Sequence, residues 1–253
     1  RFSNFTWSPD QKKIALTNTT SNGVEVWVLD LQSKTLTQLT EALVNANLRD
    51  AINWFEDSKS LLVKMVLKDK KELINTKTAI PSGPTISVNK GKKAQNRTYQ
   101  DLLKNKNDEH NFEQLAYSEI YKVSLDGNKE KWLESAMFGN ITFSPDGNYV
   151  MVSTVEKPFS YLVTYRRFPS KTIIYSKDAK KIETVLEVPL IEDLPKGFMS
   201  TRTGRRDLTW RNDKPATLVY TEALDGGDPE KKVAYRDEVF QLEAPFSGKP
   251  KSI

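Results

Sequence analysis

Apolar and polar positions alternate along most of this chain, and one short pattern recurs four times. Phe5-Thr-Trp-Ser-Pro-Asp10, Ile52-Asn-Trp-Phe-Glu-Asp57, Ile141-Thr-Phe-Ser-Pro-Asp146 and Leu208-Thr-Trp-Arg-Asn-Asp213 each read apolar, polar, aromatic, then a turn carrying Asp. An apolar run follows each: Ile14–Leu16, Leu61–Val63, Tyr149–Val152 and Ala216–Tyr220. Period-two alternation with β-branched and aromatic residues predicts strands, so each segment is read as strand–turn–strand. A second hairpin completes each unit. It is clearest at Val24–Leu31 with Thr35–Leu39, and it recurs at Glu119–Leu125 with Lys131–Leu133, and at Thr172–Tyr175 with Ile182–Leu186. The last unit offers Glu238–Leu242 and a poorly defined return near 249–253. Asp126-Gly127 supplies a hairpin turn.

A repeat of this kind cannot bury both faces alone, so its copies must stack. In Val24–Leu31, Val24, Val26 and Val28 point one way and Trp27, Leu29 and Leu31 the other. Both faces are apolar, as in a sheet held between two like sheets. The expectation is all-β: a β-propeller segment of about four four-stranded blades. A Greek-key sandwich also explains short strands, but not one turn recurring at one place in each unit. The whole chain, 1–253, is read as a partial propeller, with blades at about 1–40, 50–134, 138–189 and 205–253.

The aromatic anchors Trp7, Trp54, Phe143 and Trp210 are separated by 47, 89 and 67 residues. A minimal blade needs about 40–45, so the excess falls between the second and third strands of a unit. These stretches are about 68–117 and 156–171, with a shorter one at 223–236. Strands alternate direction, so all three leave by one side of the disc, and loops gathered on a rigid scaffold are where function concentrates. The insert at about 68–117, in the second blade, is expected to be partly helical over 98–116. Thr98-Tyr-Gln-Asp101 is a weak capping box there, and a break is expected near Asn105–Asn107.

Composition adds exclusions. The chain has 253 residues and no cysteine, so disulfides, thiolate metal sites and Cys nucleophiles are out. No apolar run is long enough for a membrane span. No signal peptide is visible, and the abrupt start on a repeat reads as a piece of a longer protein. Net charge is +5, with eleven Lys and Arg against three acids within 64–106. Tyr99 is the sole aromatic in that stretch, so a solvated loop is favoured over a nucleic-acid surface, which would need stacking platforms.

Catalytic motifs are missing. The single histidine, His110, lies in a polar run and is read as exposed and inert. No Gly-x-Ser-x-Gly elbow, phosphate loop or metal cluster occurs, so no catalytic residue, metal or cofactor is assigned. Asp225-Gly-Gly-Asp228 reads as a tight turn rather than a calcium loop. Four Asn-x-Ser/Thr matches, at Asn4, Asn18, Asn96 and Asn140, are read as chance. The candidate binding residues are arginines on the loop-bearing side: Arg166, Arg167, Arg202, Arg205 and Arg206. Their guanidinium forks suit carboxylates, and surface ion pairing is the competing reading.

Several insert segments carry a family resemblance. They are Pro81–Ile86, Gly91–Ala94, Arg97–Leu103, Lys157–Val163, Arg167-Phe-Pro169, Arg202-Thr-Gly204 and Glu222–Pro229. Together they resemble the glutamyl endopeptidase branch of the prolyl oligopeptidase family of serine peptidases. The resemblance implies a propeller that caps the active site of a C-terminal α/β-hydrolase domain and admits peptide substrates, with selectivity for Glu in the characterised type. That hydrolase domain is absent here, so this chain alone is expected to be silent and its parent active. The resemblance also implies a periplasmic or secreted location if the source is bacterial, or a plastid one in plants. A freestanding TolB-like or WD-like scaffold for protein–protein interaction stays open, as does a propeller enzyme with its own site. An open arc is further expected to self-associate.

Overall fold

The computed structural model describes residues 1–75, 77–78, 83 and 99–253. The chain forms three antiparallel sheets. The first holds β1 (Phe2–Trp7), β2 (Lys13–Thr19), β3 (Val24–Asp30) and β4 (Thr35–Gln38), in that order. The second runs β11-β10-β9-β8-β7-β6-β5. Its strands are β5 (Ile52–Trp54), β6 (Ser60–Met65), β7 (Ser118–Ser124), β8 (Lys129–Phe143), β9 (Tyr149–Val155), β10 (Ser170–Ser176) and β11 (Lys181–Val188). The third holds β12 (Arg206–Trp210), β13 (Thr217–Ala223), β14 (Asp237–Glu243) and β15 (Lys251–Ser252).

The seven-stranded sheet contains two of the repeated units. The 15-residue strand β8 serves as the last strand of one and the first of the next. Four separate sheets were expected, and β8 joins the middle pair. Residues 129–143 contain no proline, and the Gly139-Asn140 pair is absorbed as a register shift between Phe138 and Ile141, so the strand runs on from one unit into the next. The sheets do not close into a ring.

Alternation along the strands builds three cores, one between each pair of neighbouring units. In β6, Leu61 and Val63 face the first unit, packing with Ala15, Val26 and Val28. Leu62, between them, points the other way, toward Ile141, Val150 and Val152. In β9 the same switch sends Met151 toward Ile174, Trp210 and Leu218 of the next core. A period of two thus gives each inner sheet two buried faces. The first unit buries only one: Phe2, Phe5 and Trp7 remain exposed on the other.

The recurring turn has a common hydrogen-bond plan. Ser8 Oγ donates to Asp10 Oδ1 at 2.6 Å and accepts from Lys13 N at 2.9 Å. Ser144 Oγ donates to Asp146 Oδ1 at 2.6 Å and accepts from Tyr149 N at 3.0 Å. The serine closes the turn while the carboxylate accepts the backbone N–H two residues on, from Lys12 and Asn148. Gly147, at φ +67°, lies so close to the neighbouring turn that a Cβ would meet Glu56 Cβ at 2.6 Å.

The insert helix α1 spans Lys106–Ala116, shorter than the expected 98–116. Its N-cap is Asn105, whose side chain accepts from Asn107 N and Asp108 N at 2.9 and 3.0 Å. The expected break at Asn105–Asn107 is therefore the helix start. Asp101 adopts φ +56° and lies outside any helix, while Thr98, and the motifs Pro81–Ile86 and Gly91–Ala94 apart from Gly83, fall outside the described residues. His110 is partly buried rather than exposed, and its Nε2 pairs with the Glu72 carbonyl at 3.0 Å.

Candidate functional site

Antiparallel order puts the Ser-Pro-Asp turns on one rim and the long connections on the other. The loop-bearing rim gathers residues 39–51, 156–169, 189–205 and 224–236, together with the described residues of 66–117. These segments brace one another. Phe112 of α1 packs edge-on against Phe159 and Phe168, with ring centroids 5.2 and 5.9 Å apart. Tyr161 donates to Glu109 at 2.6 Å, and Lys157 pairs with Glu113. The side chains of Asn45 and Asn47 donate to the Leu115 carbonyl at 3.1 and 3.0 Å, satisfying the helix C-terminus. Further round, Thr201 N bonds Gly227 O at 3.0 Å, and a Cβ on Gly227 would fall 2.1 Å from Thr201 O. The buried Asp225 accepts from Gly227 N and from Arg236 at 2.6 Å each, which makes its segment a tight turn.

All five candidate arginines lie on this rim, in different situations. Arg206 pairs with Asp237, and its buried Nε has no partner. Arg205 donates to the Val185 carbonyl at 2.7 Å, with its guanidinium 4.7 Å from the Tyr220 ring centroid. Arg202 donates to the Thr203 carbonyl at 3.0 Å and to the Arg205 carbonyl. Burial, with the nearby Arg206 charge, lowers its pKa below the ordinary arginine value. Arg167 lies over the Tyr99 ring at 5.6 Å. Arg166 stands apart: it sits on a single 3-10 turn, Tyr165–Arg167, is exposed, and takes no carboxylate partner among the described residues.

Arg166 also lines three cavities. The largest, about 480 Å³, is mostly apolar, with Leu102, Leu103, Phe112 and Phe168 in its wall. A polar one of about 350 Å³ opens between the last two units, lined by Asn140, Thr142, Ser153, Thr172 and Arg202. The third, about 260 Å³, has both Arg166 and Arg49 in its lining.

Two cationic residues escaped the sequence reading. Arg49 carries no motif. Lys64 belongs to the basic stretch read as solvated, yet it is 1% exposed within β6. Its ammonium donates to the Asn47 carbonyl at 2.6 Å and to that of Arg49. Burial pushes its pKa down to about 8, against the raising effect of Asp50. Only the alternation of β6, which turns Lys64 away from Leu61 and Val63, could have flagged it.

Among the described residues no cluster of His, Cys, Asp and Glu could hold a metal ion. No helix there is long and apolar enough to cross a membrane.

The fold and its loop-bearing rim define the class: a propeller-like, all-β segment with open sheets. No protein-family model matches the chain. The chain is nonetheless homologous to a segment of the glutamyl endopeptidases, the branch whose resemblance its insert motifs carry. It is 34% identical over 259 residues to the probable chloroplastic glutamyl endopeptidase of Oryza sativa subsp. japonica, covering 98% of this chain and 27% of that protein. It is 34% identical over 253 residues to its counterpart in Arabidopsis thaliana, covering 96% and 26%. The chain thus spans about a quarter of the length of these relatives. The Pyrococcus horikoshii acylaminoacyl peptidase is similar in fold, with a TM-score of 0.50 at 17% identity, over 100% of this chain and 32% of that one.

Proposed function

We propose that the chain is the non-catalytic propeller portion of a serine peptidase, an open arc of four blades at about 1–40, 50–134, 138–189 and 205–253. Its loop-bearing rim caps the active site of a C-terminal α/β-hydrolase domain and admits peptide. Arg166 contributes to selection of acidic substrates. The single observation that carries this reading is Arg166 itself: exposed, without a carboxylate partner among the described residues, and shared by three cavities. Homology to proteins named glutamyl endopeptidases gives the acidic substrate its place in the argument. Arg202, Arg205 and Arg206 support the rim instead, since their donors are engaged with carbonyls and Asp237.

The test is kinetic and uses the longer protein. Arg166→Ala should lower kcat/KM for Glu peptides relative to matched Gln peptides by about 1.5 kcal/mol, roughly tenfold. Arg206→Ala should leave that ratio unchanged. The 253-residue chain alone should take no label from a serine-directed fluorophosphonate. An unchanged Glu/Gln ratio in Arg166→Ala, or a labelled serine in the chain alone, would sink the reading.

A further inference from the structure

The connection from the first unit to the second holds three consecutive left-handed residues: Leu48 at φ 54°, Arg49 at 68° and Asp50 at 38°. None is glycine, so each adopts a conformation that its Cβ disfavours, and such outliers persist only where the surroundings hold them. Here the surroundings are visible. The buried Lys64 ammonium takes the Asn47 and Arg49 carbonyls. Asp50 Oδ2 accepts from Ile141 N at 2.9 Å, so its carboxylate is engaged with β8. The Arg49 side chain remains exposed, without a carboxylate partner among the described residues.

Arg49 lines the cavity of about 260 Å³ from the 39–51 connection, and Arg166 lines it from the 156–169 loop. Asn140, Ser153 and Ser170 contribute polar wall, and no Asp or Glu lines it. The cavity wall therefore carries two permanent positive charges, both guanidinium groups, and no carboxylate, which favours an anion there. Their forked donors match the two oxygens of a carboxylate. The cavity is smaller than the roughly 300–1,000 Å³ of pockets for drug-sized ligands, so a side chain or a chain end fits better than a folded element.

We propose that Arg49 and Arg166 together form a carboxylate-binding site, occupied by an acidic side chain or the C-terminal carboxylate of a peptide. Arg49 is placed there by the strained turn that Lys64 holds. This deepens the reading above, since it rests on peptide reaching the rim, and it adds a second cation that acts jointly with Arg166.

The experiment measures fluorescence anisotropy of labelled peptides with the 253-residue chain. One probe has both ends blocked and a central Glu. The second replaces that Glu with Gln. The third is the Gln peptide with a free C-terminal carboxylate. Wild type should bind the Glu probe roughly tenfold more tightly than the Gln probe. Arg49→Ala and Arg166→Ala should each remove that preference, and the double variant should lose nothing more, because both groups grip one anion. Both residues are exposed, so the variants should fold. An arginine-dependent preference for the free-carboxylate probe instead assigns the site to chain ends and sustains it. Equal binding of all probes by wild type, or a preference that survives Arg49→Ala, overturns the proposal. If the chain shows the preference while the longer protein hydrolyses no peptide, the peptidase reading fails and this site stands.

Discussion

The Trp54 indole Nε1 donates to the Thr6 carbonyl at 3.1 Å, and the Trp210 indole makes the same bond to Thr142 at 3.3 Å. Each acceptor immediately precedes the aromatic anchor of the preceding unit, Trp7 or Phe143. The repeat is therefore a register device: an aromatic in one inner strand reads the backbone of the strand before it. Trp54→Phe retains most of the ring but leaves the Thr6 carbonyl without this donor. It should cost about 1 kcal/mol, and Trp54→Ala about 3–5 kcal/mol. Chemical denaturation of the three proteins measures both. Equal stability of wild type and Trp54→Phe would reduce the indole to packing alone.

Ser144 closes its turn with two bonds, one to the Asp146 carboxylate and one from Tyr149 N. Burial opposes ionisation of Asp146, but hydrogen bonds from Ser144 and Asn148 outweigh it and hold its pKa below the ordinary 3.8. A depressed carboxylate pKa adds stability above the unfolded value, and that stability is lost as pH falls through the folded value. Ser144→Ala should cost about 1 kcal/mol near neutral pH, and the gap should narrow in acid below pH 3.8. Melting curves at neutral and acidic pH check this. A gap that stays constant would mean that the serine acts through its backbone contact only.

How much of this was legible in the sequence follows from the range of the interactions involved. Trp54, Leu61 and Val63 announce their strands because strand formation and burial both follow a period of two. Asp10 and Asp146 announce their turns because the bonding groups lie within a few residues. The fusion of two units through β8 was hidden, since Gly139-Asn140 offers turn chemistry in the sequence yet is absorbed as a register shift within the strand. The helix start was misplaced because Thr98-x-x-Asp101 and Asn105 both offer capping chemistry, and the packing of Phe112 on Phe159 and Phe168 lies far away in sequence. Five arginines on one rim could be placed from strand direction alone. Which of them are engaged could not, because the partners of Arg205 and Arg206, Val185 and Asp237, lie 20 and 31 residues away. Arg49 was invisible for the same reason: the Lys64 ammonium that takes its carbonyl lies 15 residues on, in β6.

The outer face of the first unit exposes Phe5 at 63% and Trp7 at 57%, with Phe2 beside them. Their counterparts in the second unit, Ile52 and Trp54, are each 7% exposed because the first sheet covers them. An uncovered apolar sheet face is an association surface. The 253-residue chain should therefore show concentration-dependent self-association in sedimentation velocity. Replacing Phe5 and Trp7 together with Ser should shift it toward monomer without lowering thermal stability. A wild-type chain that stays monomeric at high concentration would contradict this.

Lys64 gives the sharpest pH prediction. Burial lowers its pKa from 10.5 to about 8 in the folded chain, with Asp50 opposing the shift. Between those values the unfolded chain binds the proton and the folded chain has released it. The unfolded state then holds more protons, so stability must rise with pH across this window. The full contribution is on the order of 3 kcal/mol, at roughly 1.4 kcal/mol per pH unit. Lys64→Met keeps the linear apolar stem but has no proton to lose. Denaturant unfolding of both proteins at steps between pH 7.5 and 10.5 isolates the effect, because other lysines and tyrosines titrating there are common to both. The difference in stability should move steadily in favour of wild type as pH rises. A neutral amine still donates to the Asn47 and Arg49 carbonyls, so the strained turn and Arg49 should keep their places through the titration. A difference that does not change with pH would mean that the Lys64 ammonium is hydrated in solution, and that its hold on the Leu48–Asp50 turn is weaker than its burial implies.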